Sequence, residues 1–242
     1  YLYGNMDMEE KLAFLDEHYL SHFDYLDVDS VIQEQKAFGA CQDVTLEYPV
    51  AENEGEEDNT YLSYNMVVGN AADSQMAMAF EVLDYALLSA PGAPLKQALL
   101  DVKAGKDVYG SYDDGILQPY FTVIAKGSNP DKKEEFVSVI RQVLGDIVEN
   151  GIDKKAVEAG INYFEFRYRE ADFGGYPKGL MYGLQIFDSW LYDETKPFIH
   201  VEALDTFAFL KEQISTGYFE KLIQTYLLDN QHGALVTIVP EP

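Results

Sequence analysis

Basic residues are scarce in this 242-residue chain: 17 Lys and Arg face 42 Asp and Glu, a formal net charge of −25. A surface this negative repels phosphate backbones and anionic lipid headgroups, which argues against nucleic-acid and membrane-surface roles. Cysteine is nearly absent as well. Cys41 stands alone, so no internal disulfide forms and no metal site rests on paired thiolates. A lone cysteine of this kind is expected to be buried and structural. No apolar run approaches the ~20 residues of a membrane-spanning helix, and the N-terminus lacks the basic start and apolar stretch of a signal peptide. The sequence opens at Tyr1 rather than Met, as a piece of a longer polypeptide would. The expected behaviour is soluble, with the cytoplasm the expected compartment if the source is bacterial.

Histidine is sparse too, and this limits the chemistry. Only His18, His22, His200 and His232 are present. His18 and His22 are four apart and share a helix face, but Tyr19, Leu20 and Ser21 between them supply no glutamate. A hydrolytic zinc site needs an acid near its imidazoles and an open position, so the pair reads as two boundary histidines and no metal ligand is assigned. No glycine-rich elbow surrounds a serine. Ala104-Gly105-Lys106 and Gly174-Gly175 lack the remainder of a phosphate-binding loop. Asp27 and Asp29 lack the rest of a calcium loop and read as a solvated pair. No catalytic, cofactor-binding or metal residue is therefore expected in this chain.

What is present is core material: 47% of residues are hydrophobic and 14% aromatic. Tyr1 to Gly4 reads as a strand. Asp7 and Glu10 form a capping-box pattern ahead of Leu12, Leu15, Tyr19 and Phe23 at helical spacing. Residues 24–41 show no sustained period and read as a connector. Thr45–Val50 and Thr60–Gly69 read as extended, joined across the acidic tract 52–59 into an antiparallel pair. Asp73 opens a helix carrying Met76, Phe80, Leu83 and Leu87, and Pro94 suits the first turn of the next. Asp113-Asp114-Gly115 marks a hairpin turn between two β-rich runs. From Pro130 helices dominate, with Val157, Ile161, Phe164 and Tyr168 on one core stripe and Leu180, Leu184, Phe187, Trp190 and Leu191 on another. Arg167 and Arg169, in a chain with few arginines, are expected to pair with acids across a domain contact. Ala234–Val239 closes as a strand. The pattern predicts the α+β class, an antiparallel sheet with helices packed on one face.

Four runs carry a resemblance across nearly the whole chain: "YREADFGGYPKGLMYGLQIFDSWLYD" (168–193), "SAPGAPLKQALL" (89–100), the opening 1–23 and the closing 230–242. They resemble the presequence-protease branch of the insulinase-like (pitrilysin) zinc metallopeptidases. The resemblance implies a mitochondrial processing peptidase-like domain, with residues 1–23 the last strand and helix of a preceding catalytic domain, 24–41 a connector, and 42–242 a second, non-catalytic domain. In that family four similar domains enclose a chamber that degrades unstructured peptides. The zinc is held by an H-x-x-E-H motif in the first domain, and this sequence has none. The resemblance thus implies zinc in the full-length parent and none here, with the remaining domains of the same polypeptide and unstructured peptides as partners. A fragment of this kind would be inactive alone. It also gives no clamping role to Arg169 or Tyr176, because the family's substrate clamp lies in the other half of the enzyme.

Residues 1–60 hold 16 acids and 2 bases. An acidic chamber wall would attract cationic peptides; equally, the charge would serve only solubility, and the tract around residue 55 reads as a solvated loop. The reading from a different class is a free-standing acidic peptide-binding or scaffolding module without peptidase activity.

Overall fold

The computed structural model describes residues 2–51 and 55–241. Five strands form one sheet among the described residues: β1 (Gln42–Pro49), β2 (Thr60–Val67), β3 (Asp107–Asp113), β4 (Tyr120–Ser128) and β5 (Gly233–Glu241), in the order β1-β5-β2-β4-β3. The helices are α1 (Met8–His18), α2 (Ser74–Asp84), α3 (Pro94–Asp101), α4 (Lys133–Asn150), α5 (Lys154–Glu170), α6 (Lys178–Trp190), α7 (Leu204–Gln213) and α8 (Tyr218–Leu222). Helices α2 and α8 each run on into a π-helical turn, at Tyr85–Ser89 and Ile223–Leu228.

The α+β expectation holds: α2, α3, α4, α5, α7 and α8 contribute apolar residues to the core against the sheet. On β2, Leu62, Tyr64 and Met66 alternate with half-buried residues, as a strand does when one face meets a core. Phe80 of α2 anchors that core, with its ring 5.5 Å from Tyr112, 6.0 Å from Phe121 and 5.9 Å from Tyr226. The Asp73 carboxylate accepts from Met76 N at 2.9 Å, which caps α2. Pro94 opens α3, and Gly151 ends α4. The β3–β4 hairpin forms, with Asp113 opposite Tyr120.

One pairing differs from expectation. Thr45–Val50 does not pair with Thr60–Gly69. β5 lies between them, antiparallel to β2 and parallel to β1, with Gln42 opposite Ala234. The sheet is therefore mixed. The physical reason is burial: β5 is mostly apolar, is buried or half-buried as far as Pro240 and takes an interior position, whereas β1 carries Asp43, Glu47 and Pro49 and has no buried residue, the composition of an edge. Three of the acidic-tract residues, 52–54, lie outside the described residues.

The N-terminal reading also changes. Tyr1 lies outside the described residues, and Leu2–Gly4 is not a strand. Helix α1 forms as expected, with the Asp7 carboxylate accepting from Glu10 N at 3.0 Å, yet no residue on it is buried. The apolar stripe of α6 is likewise turned outward: Leu180, Leu184, Trp190 and Leu191 are exposed, while Gly183, Ile186 and Ser189 face inward. Hydrophobic periodicity locates a helix but cannot say whether its apolar face meets this chain or another surface.

Candidate functional site

At one end of the sheet a cavity of about 420 Å³ opens between α2, the β3–β4 turn, α5, α6 and the segment before α7. Four carboxylates line it: Glu81 two turns into α2, Asp114 in the turn, Asp172 just after α5, and Asp188 on α6. Met181, Gln185 and Asp188 fall at helical spacing, so one face of α6 supplies all three. Arg167 of α5 and His200 are the positive counterparts. His200 is fixed by its Nε2, which donates to the Ala71 carbonyl oxygen at 2.8 Å. Tyr168 fixes the far wall: its hydroxyl accepts from Ala203 N at 2.9 Å and donates to the Val201 carbonyl.

Burial dominates the electrostatics, with the crowding of like charge second. Burial, followed by repulsion from Asp114 and Asp84, pushes Glu81 up to about 8 despite the opposing pull of Arg167. Asp188 rises to about 6 through burial and Asp114, partly countered by His200. Burial also raises Asp114, against the same histidine. Beside the cavity, Asp84 rises to about 6; its Oδ2 accepts from Ser89 at 3.3 Å, while Oδ1 has no partner. Burial thus favours the protonated carboxyl at Glu81 and Asp188, and a cation placed beside them would favour the charged form. Sequence motifs did not reveal the cavity, because the acids come from four separate parts of the chain. The legible signal was Glu81 itself, a charged residue set among the buried Ala77, Phe80, Val82 and Leu83 of α2.

The residues singled out in the sequence do not converge here. His18 and His22 are exposed at the end of α1 and in the short turn after it, with His18 against the Phe14 ring at 4.4 Å. Among the described residues no three His, Cys, Asp or Glu side chains are placed to hold a metal ion. Cys41 is exposed, not buried, because it sits where the connector enters edge strand β1. Arg169 and Arg167 each have a partner within the chain. Arg169 pairs with Glu165 one turn away at 2.6 Å, and Glu165 also takes Lys211 of α7. Arg167 lies over the Tyr163 ring at 5.6 Å.

The sequence profile described as the peptidase M16 inactive domain matches residues 1–164. The chain belongs to the peptidase M16 inactive-domain family. Protein HypA of Clostridium perfringens is 44% identical over 241 residues, covering all of this chain and 25% of that protein. Presequence protease 1, chloroplastic/mitochondrial, of Arabidopsis thaliana is 30% identical over 250 residues, again covering all of this chain and 23% of its own length. This M16 domain therefore spans about a quarter of the length of the curated relatives it matches. Among solved structures, a conserved protein from Enterococcus faecalis V583 superposes with a TM-score of 0.68 at 14% identity, covering 98% of this chain and 51% of that one. The periplasmic protease PqqL from Escherichia coli superposes with a TM-score of 0.61 at 14% identity, covering 98% and 25%. These likenesses show the fold. Among the described residues no helix is long and apolar enough to cross a membrane. The Arabidopsis protein is named as chloroplastic/mitochondrial and the Escherichia coli protein as periplasmic, so the cytoplasmic expectation gains no support.

Proposed function

We propose that this chain supplies a non-catalytic domain of a zinc-dependent metallopeptidase that degrades unstructured peptides, and that it forms part of the substrate chamber wall. The observation that carries the reading is the match to an inactive peptidase domain in a sequence without H-x-x-E-H. In this reading residues 1–23 complete the preceding catalytic domain, 24–41 connect, and 42–242 form the second domain. The exposed Leu12, Phe14, Leu15, Leu20 and Phe23 support it, since so much apolar surface on one short segment calls for a covering neighbour. Zinc and the hydrolytic step belong to that neighbour. This domain contributes shape and the acidic cavity, which suits it to cationic stretches of unfolded peptide.

The test uses the full polypeptide and an unstructured fluorogenic peptide. Chelator-sensitive turnover by the full polypeptide, none by the 242-residue chain, and an H-x-x-E-H upstream of Tyr1 are the expected results. Absence of that motif and of turnover would overturn the reading in favour of a scaffold. Electrostatic attraction adds a salt dependence: cleavage of a basic peptide should fall with ionic strength more steeply than cleavage of an acidic one.

A further inference from the structure

A second cavity, of about 500 Å³, lies at the same end of the sheet on the connector side. The β3–β4 turn stands between the two: Asp114 lines the acidic cavity, and Ile116, Leu117 and Gln118 line this one. Its chemistry is the opposite. In a chain of net charge −25, no described residue lining it is Asp, Glu, Lys or Arg. Ile32, Phe38, Val67 and Tyr192 make the walls apolar, and the volume falls in the range that encloses a ligand of modest size.

His232 lines the same cavity and is nine-tenths buried. Its position is fixed from both sides, since its carbonyl accepts from Val67 N at 2.9 Å and its own N donates to Asn230 Oδ1 at 2.8 Å. The ring Nδ1 accepts from Phe38 N at 3.5 Å, which leaves the ring hydrogen on Nε2. That atom is buried without a hydrogen-bond partner. A buried donor left unmet is costly, and it points to a ligand that brings an acceptor.

The connector shows what this end of the sheet receives. Gln118 holds its backbone as a neighbouring strand would: Gln118 Oε1 accepts from Gln35 N at 2.6 Å, and Gln118 Nε2 donates to the Gln35 carbonyl at 3.1 Å. Three residues on, the Phe38 ring meets the His232 ring edge-on at 4.7 Å. An irregular peptide is thus already held here by an amide, an imidazole and an apolar contact.

We propose that this cavity is a binding site for one uncharged apolar side chain of an extended peptide, whose backbone carbonyl accepts from His232 Nε2. The cavity gives the side chain an apolar enclosure, the histidine orients the backbone, and the absence of any countercharge rejects Asp, Glu, Lys and Arg at that position. The site does not depend on the reading of the whole polypeptide above, because its groups all belong to this chain.

The test titrates the 242-residue chain with three acetylated and amidated pentapeptides that differ only in a central Phe, Ala or Glu, and with N-acetylphenylalaninamide. The Phe peptide should bind at least about tenfold more tightly than the Ala and Glu peptides, as burial of an aromatic side chain requires. It should also bind more tightly than the single amide, which carries the side chain without the extended backbone. Ala234→Leu, which fills the cavity, and His232→Phe, which removes the donor, should each weaken the Phe peptide by about tenfold. Equal binding of the three pentapeptides, or unchanged binding to Ala234→Leu, would overturn the proposal. If either variant fails to fold, ring resonances of His232 and Tyr192 in the unsubstituted chain decide: they should shift with the Phe peptide, and no shift overturns the site.

Discussion

Replacing Glu81 by Gln should stabilise the M16 domain above neutrality and leave it unchanged in mild acid. The folded chain holds the Glu81 proton up to about pH 8, whereas the ordinary value is 4.5. Between those limits the folded state binds more protons than the unfolded state, so raising the pH costs stability at up to about 1.4 kcal/mol per pH unit. The sign follows from a raised carboxyl: the contribution is intact below about pH 4.5 and is progressively lost toward pH 8. From 4.5 to 7 the ceiling is about 3 kcal/mol. Glu81 is half-buried and Arg167 faces it, so solvent and countercharge reduce this to about 1–2 kcal/mol. Gln has nearly the same shape and does not titrate. Thermal melts of both chains should coincide at about pH 5, and the variant should melt about 3–6 °C higher at about pH 8. An advantage equal at both pH values, or a variant less stable at the higher pH, would show that the carboxylates do not share one poorly solvated cavity.

Three further changes probe the fold that positions the cavities. The Tyr64 hydroxyl donates to the buried Leu227 carbonyl at 2.7 Å, so Tyr64→Phe should cost about 1–2 kcal/mol in urea unfolding with the slope unchanged. Gly110→Ala would set a methyl 2.3 Å from Leu88 Cδ1 and 2.7 Å from the Thr122 carbonyl oxygen; it should cost about 2–3 kcal/mol, measured the same way. Asp73→Ala removes the cap of α2 and should lower stability by about 1 kcal/mol, with Asp73→Asn recovering most of it.

Local elements were legible because their signals are local. Asp7 and Asp73 cap the helices they were expected to open, and the Asp113-Asp114-Gly115 turn joins β3 to β4. The Phe80 and Leu83 stripe and the Val157 and Ile161 stripe went inside. Strand partnership was not legible: alternation shows that β1 and β2 have two faces, but β5, some 170 residues later, separates them because its apolar run can be buried and the acids of β1 cannot. The outward turn of α1 and α6 was equally hidden, since an apolar stripe reads the same whichever surface covers it.

By itself, the sequence determined the charge, the lack of a zinc motif, the α+β class and the family resemblance, because each depends on residue identity or short-range spacing. Only the tertiary structure decided which side chains share an environment. It gathered Glu81, Asp114 and Asp188 around one cavity and kept charge out of the other. Burial and like-charge repulsion act over ångströms in space, and these residues stand tens of positions apart in the chain.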